Sequence, residues 1–250
     1  MHRNLDPNAP WFEFIDRKRR HNFLAILEEL SSRQSKEAPE FILIGALVLL
    51  MQNYLHYLAW WDIDLLFRDS ETLQGFANAM KAPGLKIKQI DDEMIRTHEL
   101  ECLHVMWSFG RTWANVDYIY RPSRFQFFYE TLRHQEPFAQ TVRLDHREYQ
   151  LSLYLGNPWD IFVDKLTLSR LTEQLKKDDF LGKDFRHLFF ILQRDHANDN
   201  FWKHLAAKSE ALGQKEILKA AVIRLIEIAP ELGYEDVGDR AAVVKFFGEF

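Results

Sequence analysis

Phe41-Ile42-Leu43-Ile44-Gly45-Ala46, followed after a gap by Asp62-Ile63-Asp64-Leu65-Leu66-Phe67, decides the fold of this chain. Four consecutive apolar residues bounded by a glycine predict a short strand buried on both faces. From Ala46 to about Leu58 the apolar spacing lengthens to that of a helix. The second hexapeptide predicts another strand. Acids at i and i+2 of a strand share one face, about 7 Å apart along the backbone, while Ile63 between them points into the core. Two carboxylates so placed can converge on one Mg²⁺, which takes oxygen ligands at roughly 2.0–2.1 Å.

Other acid-x-acid pairs occur at Asp69/Glu71, Asp91/Glu93 and Glu99/Glu101, and two of these read as helix-start or turn acids. Context separates Asp62/Asp64 from them. A glycine between strand and helix lets backbone approach a ligand, and the helix start offers free N–H groups to phosphate. The next strand can then hold metal beside a bound triphosphate. A third acid is expected on a neighbouring strand, and Asp117 in Asn115-Val116-Asp117-Tyr118-Ile119 suits it, with Glu101 as the alternative. A salt bridge to Arg111 or Arg121 would explain Asp117 equally simply.

Outward from this core, Pro10 opens a helix expected to reach about Gln34, and its Arg17-Lys18-Arg19-Arg20 run reads as a solvated face. A helix starts at a Ser70 cap, and Leu85–Ile90 alternates like a half-buried strand. Cys102–Phe109 and Trp113–Tyr120 read as a hairpin joined at Gly110-Arg111. An irregular stretch follows, with strand-like pieces near Gln140–Leu144 and Tyr149–Tyr154. After Asn157-Pro158 the pattern is helical, over Trp159–Lys177, Lys183–Gln193, Asn200–Leu212, Lys215–Ile228 and a short segment after Gly238. The expected organisation is α+β: a mixed-sheet domain over 1–156 with an N-terminal helix, then a helical domain over 157–250.

Apolar residues make up 47% of the 250, enough for a sizeable core. The single Cys102 excludes a disulfide framework and any Cys-rich zinc site, and no His pair has zinc-hydrolase spacing. No signal-peptide pattern or membrane-spanning run stands out, so a cytoplasmic location without membrane partners is expected. The net charge of −5 means that any nucleic-acid contact needs a local basic patch. The aromatic residues read mainly as core.

Ile44-Gly45-Ala46-Leu47 followed by Asp62-Ile63-Asp64-Leu65 resembles the Gly-[Gly/Ser]…Asp-hydrophobic-Asp signature of the polymerase-beta-like nucleotidyltransferase superfamily. Within it, the sequence is most similar to the AbiEii type, the toxin half of a bacterial toxin–antitoxin system. Asp164-Lys165-Leu166 and Lys183-Asp184-Phe185-Arg186-His187-Leu188 resemble that type's later motifs, and the likeness spans roughly residues 40–195. Ala46 stands where Gly or Ser is usual, Trp60-Trp61 precede the acid pair, and His187 replaces an acid.

The resemblance implies a Mg²⁺-dependent nucleotidyltransferase, with two ions. It would move a nucleoside monophosphate from an NTP to tRNA or protein, with an antitoxin as partner. It makes Asp62, Asp64 and Asp117 the catalytic metal ligands, with Asp117 alternatively the base. Gly45 and Ala46 would cradle phosphates. Lys165 would contact phosphate, with Asp184 and Arg186 orienting it or forming a structural salt bridge. From spacing alone, Lys165 reads as a partly exposed residue of an amphipathic helix. Two alternatives remain: a small-molecule enzyme of the aminoglycoside-modifying kind, which needs an acidic acceptor pocket, and a silent nucleotide-binding or interaction protein.

Overall fold

The computed structural model describes residues 6, 8–35, 38–89, 95–96, 101–167, 171, 174–175, 177, 180 and 182–248. The chain divides into two compact units, Met1–Asn157 and Pro158–Phe250.

In the first unit a mixed sheet runs in the order β1 (Phe41–Ile44), β2 (Ile63–Phe67), β6 (Ala114–Tyr120), β5 (Glu101–Ser108), β3 (Lys86–Gln89), with β4 (Ile95–Arg96) also beside β5. β2 and β6 are parallel, whereas β1 with β2, and β5 with β6, β3 and β4, are antiparallel. One face is packed with rings. Phe41, Phe67, Phe76, Trp107 and Tyr118 lie edge-on or stacked, and Trp107 Nε1 donates to the Tyr118 hydroxyl at 2.7 Å. Burial pushes the Tyr118 phenol up, so it stays neutral.

A separate hairpin, β7 (Phe138–Leu144) and β8 (Arg147–Leu153), packs on helix α1 (Arg20–Arg33). Glu28 and Ser31 of α1 accept from the backbone N–H groups of Gln150 and Ser152, at 2.9 and 3.0 Å, which occupies donors along β8. The chain after β8 returns to β1: Leu43 N donates to Tyr154 O at 2.9 Å and Gly156 N to Leu43 O at 2.7 Å.

Four local expectations need correction. Pro10 opens only a 3₁₀ turn, Trp11–Phe14, after which Ile15 is extended and α1 begins at Arg20. The helix after Gly45, α2 (Ala46–Met51), does not reach Leu58. It stops because Asn53 takes a left-handed φ of 61°, a conformation that asparagine tolerates and a helix does not. The cap of α3 (Ser70–Asn78) is Asp69, not Ser70: its carboxylate accepts from Thr72 N at 2.6 Å, and those Thr72 bonds hold Asp69 down at about 2. The stretch read as irregular contains α4 (Pro122–Leu132), which buries Phe125, Phe128 and Leu132.

The second unit is helical: α5 (Pro158–Thr167), α6 (Lys183–Asp195), α7 (Asp199–Ala211), α8 (Lys215–Ile228) and α9 (Arg240–Phe247). The part of the expected Trp159–Lys177 helix at 168–170, 172–173 and 176 lies outside the described residues, as do Asp91, Glu93 and Glu99. Among the described residues, no helix is long and apolar enough to cross a membrane.

Candidate active site

Strand register assembles the acidic face. Asp64 pairs with Ile44 on one side and with Asp117 on the other, and Asp117 pairs with His104. Residues directly opposite in neighbouring strands turn their side chains to the same face, so Asp64, Asp117 and His104 share one face. Asp62 and Asn115, each two positions earlier, join it, and Asn115 Nδ2 donates to Asp62 Oδ1 at 3.0 Å. Asp117 Oδ1 lies 2.9 Å from His104 Nδ1. His104 is thus one partner of Asp117, on the neighbouring strand. Asp62, Asp64, Asp117 and His104 are each half-buried, whereas Ile63, Leu65, Val116 and Tyr118 on the other face are buried. The side chain of Glu101 lies outside the described residues.

Gly45 is pressed against this face. Its φ is +82°, and a Cβ built there would stand 2.1 Å from Asp64 Oδ2. Only a residue without a side chain fits, both for conformation and for space. Gly45→Ala is therefore expected to cost about 1–3 kcal/mol and to lower the melting temperature by roughly 2–12 °C. Thermal denaturation followed by circular dichroism reads this directly. An unchanged melting temperature would mean that Asp64 moves aside freely.

Beside Asp62 opens a cavity of about 590 Å³ lined by Lys18, Arg19, Trp60, Arg111, Trp113 and Asn115, among others. Trp60 is 78% exposed, with the Arg19 guanidinium 3.9 Å from the ring centroid. Trp61 is buried and donates to Phe14 O at 3.0 Å. Arg19 also donates to Trp113 O. A second cavity of about 550 Å³ shares Lys18, Arg111 and Thr112 with the first and adds His21, His146 and Arg147. Acids alternate with these cations: Asp16 lines the first cavity, Asp145 lines the second and contacts His21 at 2.8 Å, and Arg147 pairs with Glu28 at 3.0 Å. Sequence reasoning treated Arg17-Lys18-Arg19-Arg20 as a solvated face and Trp60 as an oddity of the motif. Arg17 and Lys18 are exposed, as a solvated face requires.

The later motif residues meet inside the helical unit. Lys165 Nζ contacts Asp184 Oδ1 at 2.5 Å, and both side chains are about 10% exposed. Lys165 is thus buried, not the partly exposed lysine its spacing suggested, while Arg186 is exposed on α6. Asp160, fully buried, accepts from His204 at 2.6 Å with Lys208 at 3.5 Å. His187 is 1% exposed, and burial, with the Lys165 ammonium nearby, pushes it down to about 3 from 6.5. The folded protein therefore keeps His187 neutral where the unfolded chain takes up a proton. The stability this protects is complete above about pH 6.5 and erodes as pH falls toward 3. His187→Gln should flatten that acid limb in urea unfolding between pH 6.5 and 4. A limb as steep as wild type would remove His187 as its source.

No family model matches the chain, and no curated protein matches it. Among solved structures it is similar to a "putative nucleotidyltransferase" from H. pylori, at 11% identity and a TM-score of 0.40, covering 90% of each chain. It is also similar to JHP933 from Helicobacter pylori, at 13% identity and 0.38, over 93% of this chain and 90% of that one. A third is an antigenic nucleotidyltransferase-like protein from Paracoccidioides brasiliensis, at 11% and 0.36, over 80% and 93%. Likenesses this distant carry no argument about activity or substrate.

Proposed function

We propose that the chain is a Mg²⁺-dependent nucleotidyltransferase that moves a nucleoside monophosphate from an NTP to a macromolecular, polyanionic acceptor such as tRNA. The observation that carries this reading is the shared face of Asp62, Asp64 and Asp117, with Asp64 and Asp117 in register on adjacent parallel strands. The donor types suit Mg²⁺: three half-buried carboxylates offering only oxygen. Among the described residues their ligand atoms do not all lie within 4.8 Å of one another, so holding an ion would require the side chains to draw together. Mg²⁺ held there would supply charge neutralisation on the phosphoryl oxygens during an in-line displacement.

The chain's own residues do the rest. Asp62 and Asp64 would hold the ion, and Asn115 Nδ2 steadies Asp62 by donating to its Oδ1 at 3.0 Å. Asp117, held by His104, is the third ligand or accepts the proton of the attacking hydroxyl. The acceptor oxygen attacks the α-phosphorus and pyrophosphate leaves. Backbone N–H groups at Gly45 and Ala46 receive phosphate. α2 has only six residues, so its dipole contributes little to that binding. Lys165, Asp184 and Arg186 enter this reading through motif order alone; the Lys165–Asp184 pair supports a role in holding α5 to α6.

Lys18 and Arg111, both exposed and lining the cavity beside Asp62, support a polyanionic acceptor. The AbiEii likeness adds the role of toxin, with an antitoxin partner and a cytoplasmic site of action. The test is incubation with each labelled NTP, Mg²⁺ and total RNA or lysate. Label should pass to RNA with one preferred NTP and fall with added salt, since phosphate contacts release counterions. Lys18→Glu combined with Arg111→Glu should cut that transfer by more than about tenfold while NTP binding persists, because reversing two phosphate contacts removes the attraction that seats the acceptor. Transfer to neither RNA nor protein from any NTP would end the proposal.

A further inference from the structure

Cys102 and His104 lie two residues apart on β5, so their side chains leave the sheet on one face, and His104 is the register partner of Asp117. Cys102 Sγ stands 3.9 Å from His104 Nδ1 and 3.7 Å from Nε2, and His104 Nδ1 stands 2.9 Å from Asp117 Oδ1. One ligand atom from each of the three lies within 4.8 Å of the others. We propose that Cys102, His104 and Asp117 form a site for a soft divalent cation of the zinc type, which shares Asp117 with the carboxylate face of Asp62 and Asp64 and, when filled, withdraws Asp117 from any role toward Mg²⁺.

The distances support this. Zinc bound tetrahedrally by sulfur at about 2.3 Å and by nitrogen and oxygen at about 2.0–2.1 Å holds its sulfur and nitrogen ligands roughly 3.6 Å apart. Its nitrogen and oxygen ligands then sit roughly 3.3 Å apart. The observed sulfur–nitrogen spacings of 3.7 and 3.9 Å lie just above the first value, and the nitrogen–oxygen spacing of 2.9 Å lies below the second. Binding an ion therefore requires the imidazole to turn and the His104–Asp117 contact to open by about 0.4 Å. The donor set excludes Mg²⁺ and Ca²⁺, which avoid sulfur, and selects ions that accept thiolate and imidazole together. Three protein ligands leave a fourth position for water or an incoming group. Cys102 is buried and His104 and Asp117 are half-buried, so the sulfur is shielded from solvent. The His104–Asp117 hydrogen bond joins two members, and the two-residue spacing on β5 brings the sulfur beside the ring.

Cobalt(II) is the probe, since it replaces zinc and reports its own coordination. The reduced full-length protein, titrated with CoCl₂ without nucleotide, should bind one ion per chain. A near-ultraviolet thiolate-to-cobalt band and visible bands of tetrahedral intensity should appear, and one equivalent of ZnCl₂ should bleach them. Cys102→Ser should lose the thiolate band, and His104→Ala should weaken binding by more than about tenfold, both with wild-type circular dichroism. No thiolate band in the folded wild type overturns the site. So does a band of equal affinity in His104→Ala, which would mean a thiol acting alone. Because nucleotide is absent, these outcomes do not depend on the transfer reaction.

Discussion

Asp64→Asn is expected to leave the fold intact and to weaken Mg²⁺-dependent NTP binding by more than about a hundredfold, since even outer partners of a metal ligand are worth 10–100-fold. Asparagine has nearly the shape of aspartate, so the packing against Gly45 and the pairing with Ile44 and Asp117 are retained. What disappears is a negative charge where cation charge must be balanced. Asp64 is the acid with most riding on it, because it alone lies between Gly45 and Asp117. Calorimetric titration of NTP with and without Mg²⁺ reads the effect. Affinity equal to wild type would remove the metal from Asp64.

Asp184→Ala is expected to cost about 3–5 kcal/mol, the loss typical when one member of a buried ion pair is deleted and its partner charge is stranded. Lys165 is 8% exposed and its ammonium sits 2.5 Å from the Asp184 carboxylate, so neither charge can turn to bulk water without opening α5 from α6. Urea unfolding of the helical unit measures it. The paired replacement Lys165→Met with Asp184→Leu should recover most of the loss, because apolar groups of similar volume need no solvation. A loss near the surface value of about 0–1 kcal/mol would show that the pair is hydrated. Lys165→Ala alone should be similarly costly, contrary to the reading of Lys165 as a partly exposed residue.

The strands were legible where a local signal is unambiguous. Gly110-Arg111 marks the β5–β6 turn, and the four apolar residues before Gly45 mark β1. The helices of the second unit were legible from apolar periodicity, with Lys215–Ile228 found as expected. α4 was missed because Phe125, Phe127, Phe128 and Tyr129 suit strands as well as helices, although Pro122 at its first turn is a helix-start signal. The reach of α2 was overestimated because Tyr54, Leu55, Tyr57 and Leu58 continue the apolar spacing beyond the asparagine that stops it.

For the candidate site, spacing put Asp62 and Asp64 on one face, and composition selected Asp117 for the neighbouring strand. Register is another matter. That Asp64 stands opposite Asp117, and Asp117 opposite His104, depends on how strands slide past one another, which their sequences constrain only through which face is apolar. His104 was not read as part of any site for that reason.

The closing of β1 by Tyr154–Gly156 bears on how the protein is made. The free edge of Phe41-Ile42-Leu43-Ile44 finds its last backbone partners 111 positions later in the chain, at Tyr154 opposite Leu43. At about 5–20 residues per second, a ribosome leaves that apolar edge uncovered for roughly 5–20 s after it emerges. Such an edge is the template on which nascent chains stick to each other. Chaperone demand should therefore concentrate in that interval and end once residue 156 clears the exit tunnel, before the helical unit has been synthesised.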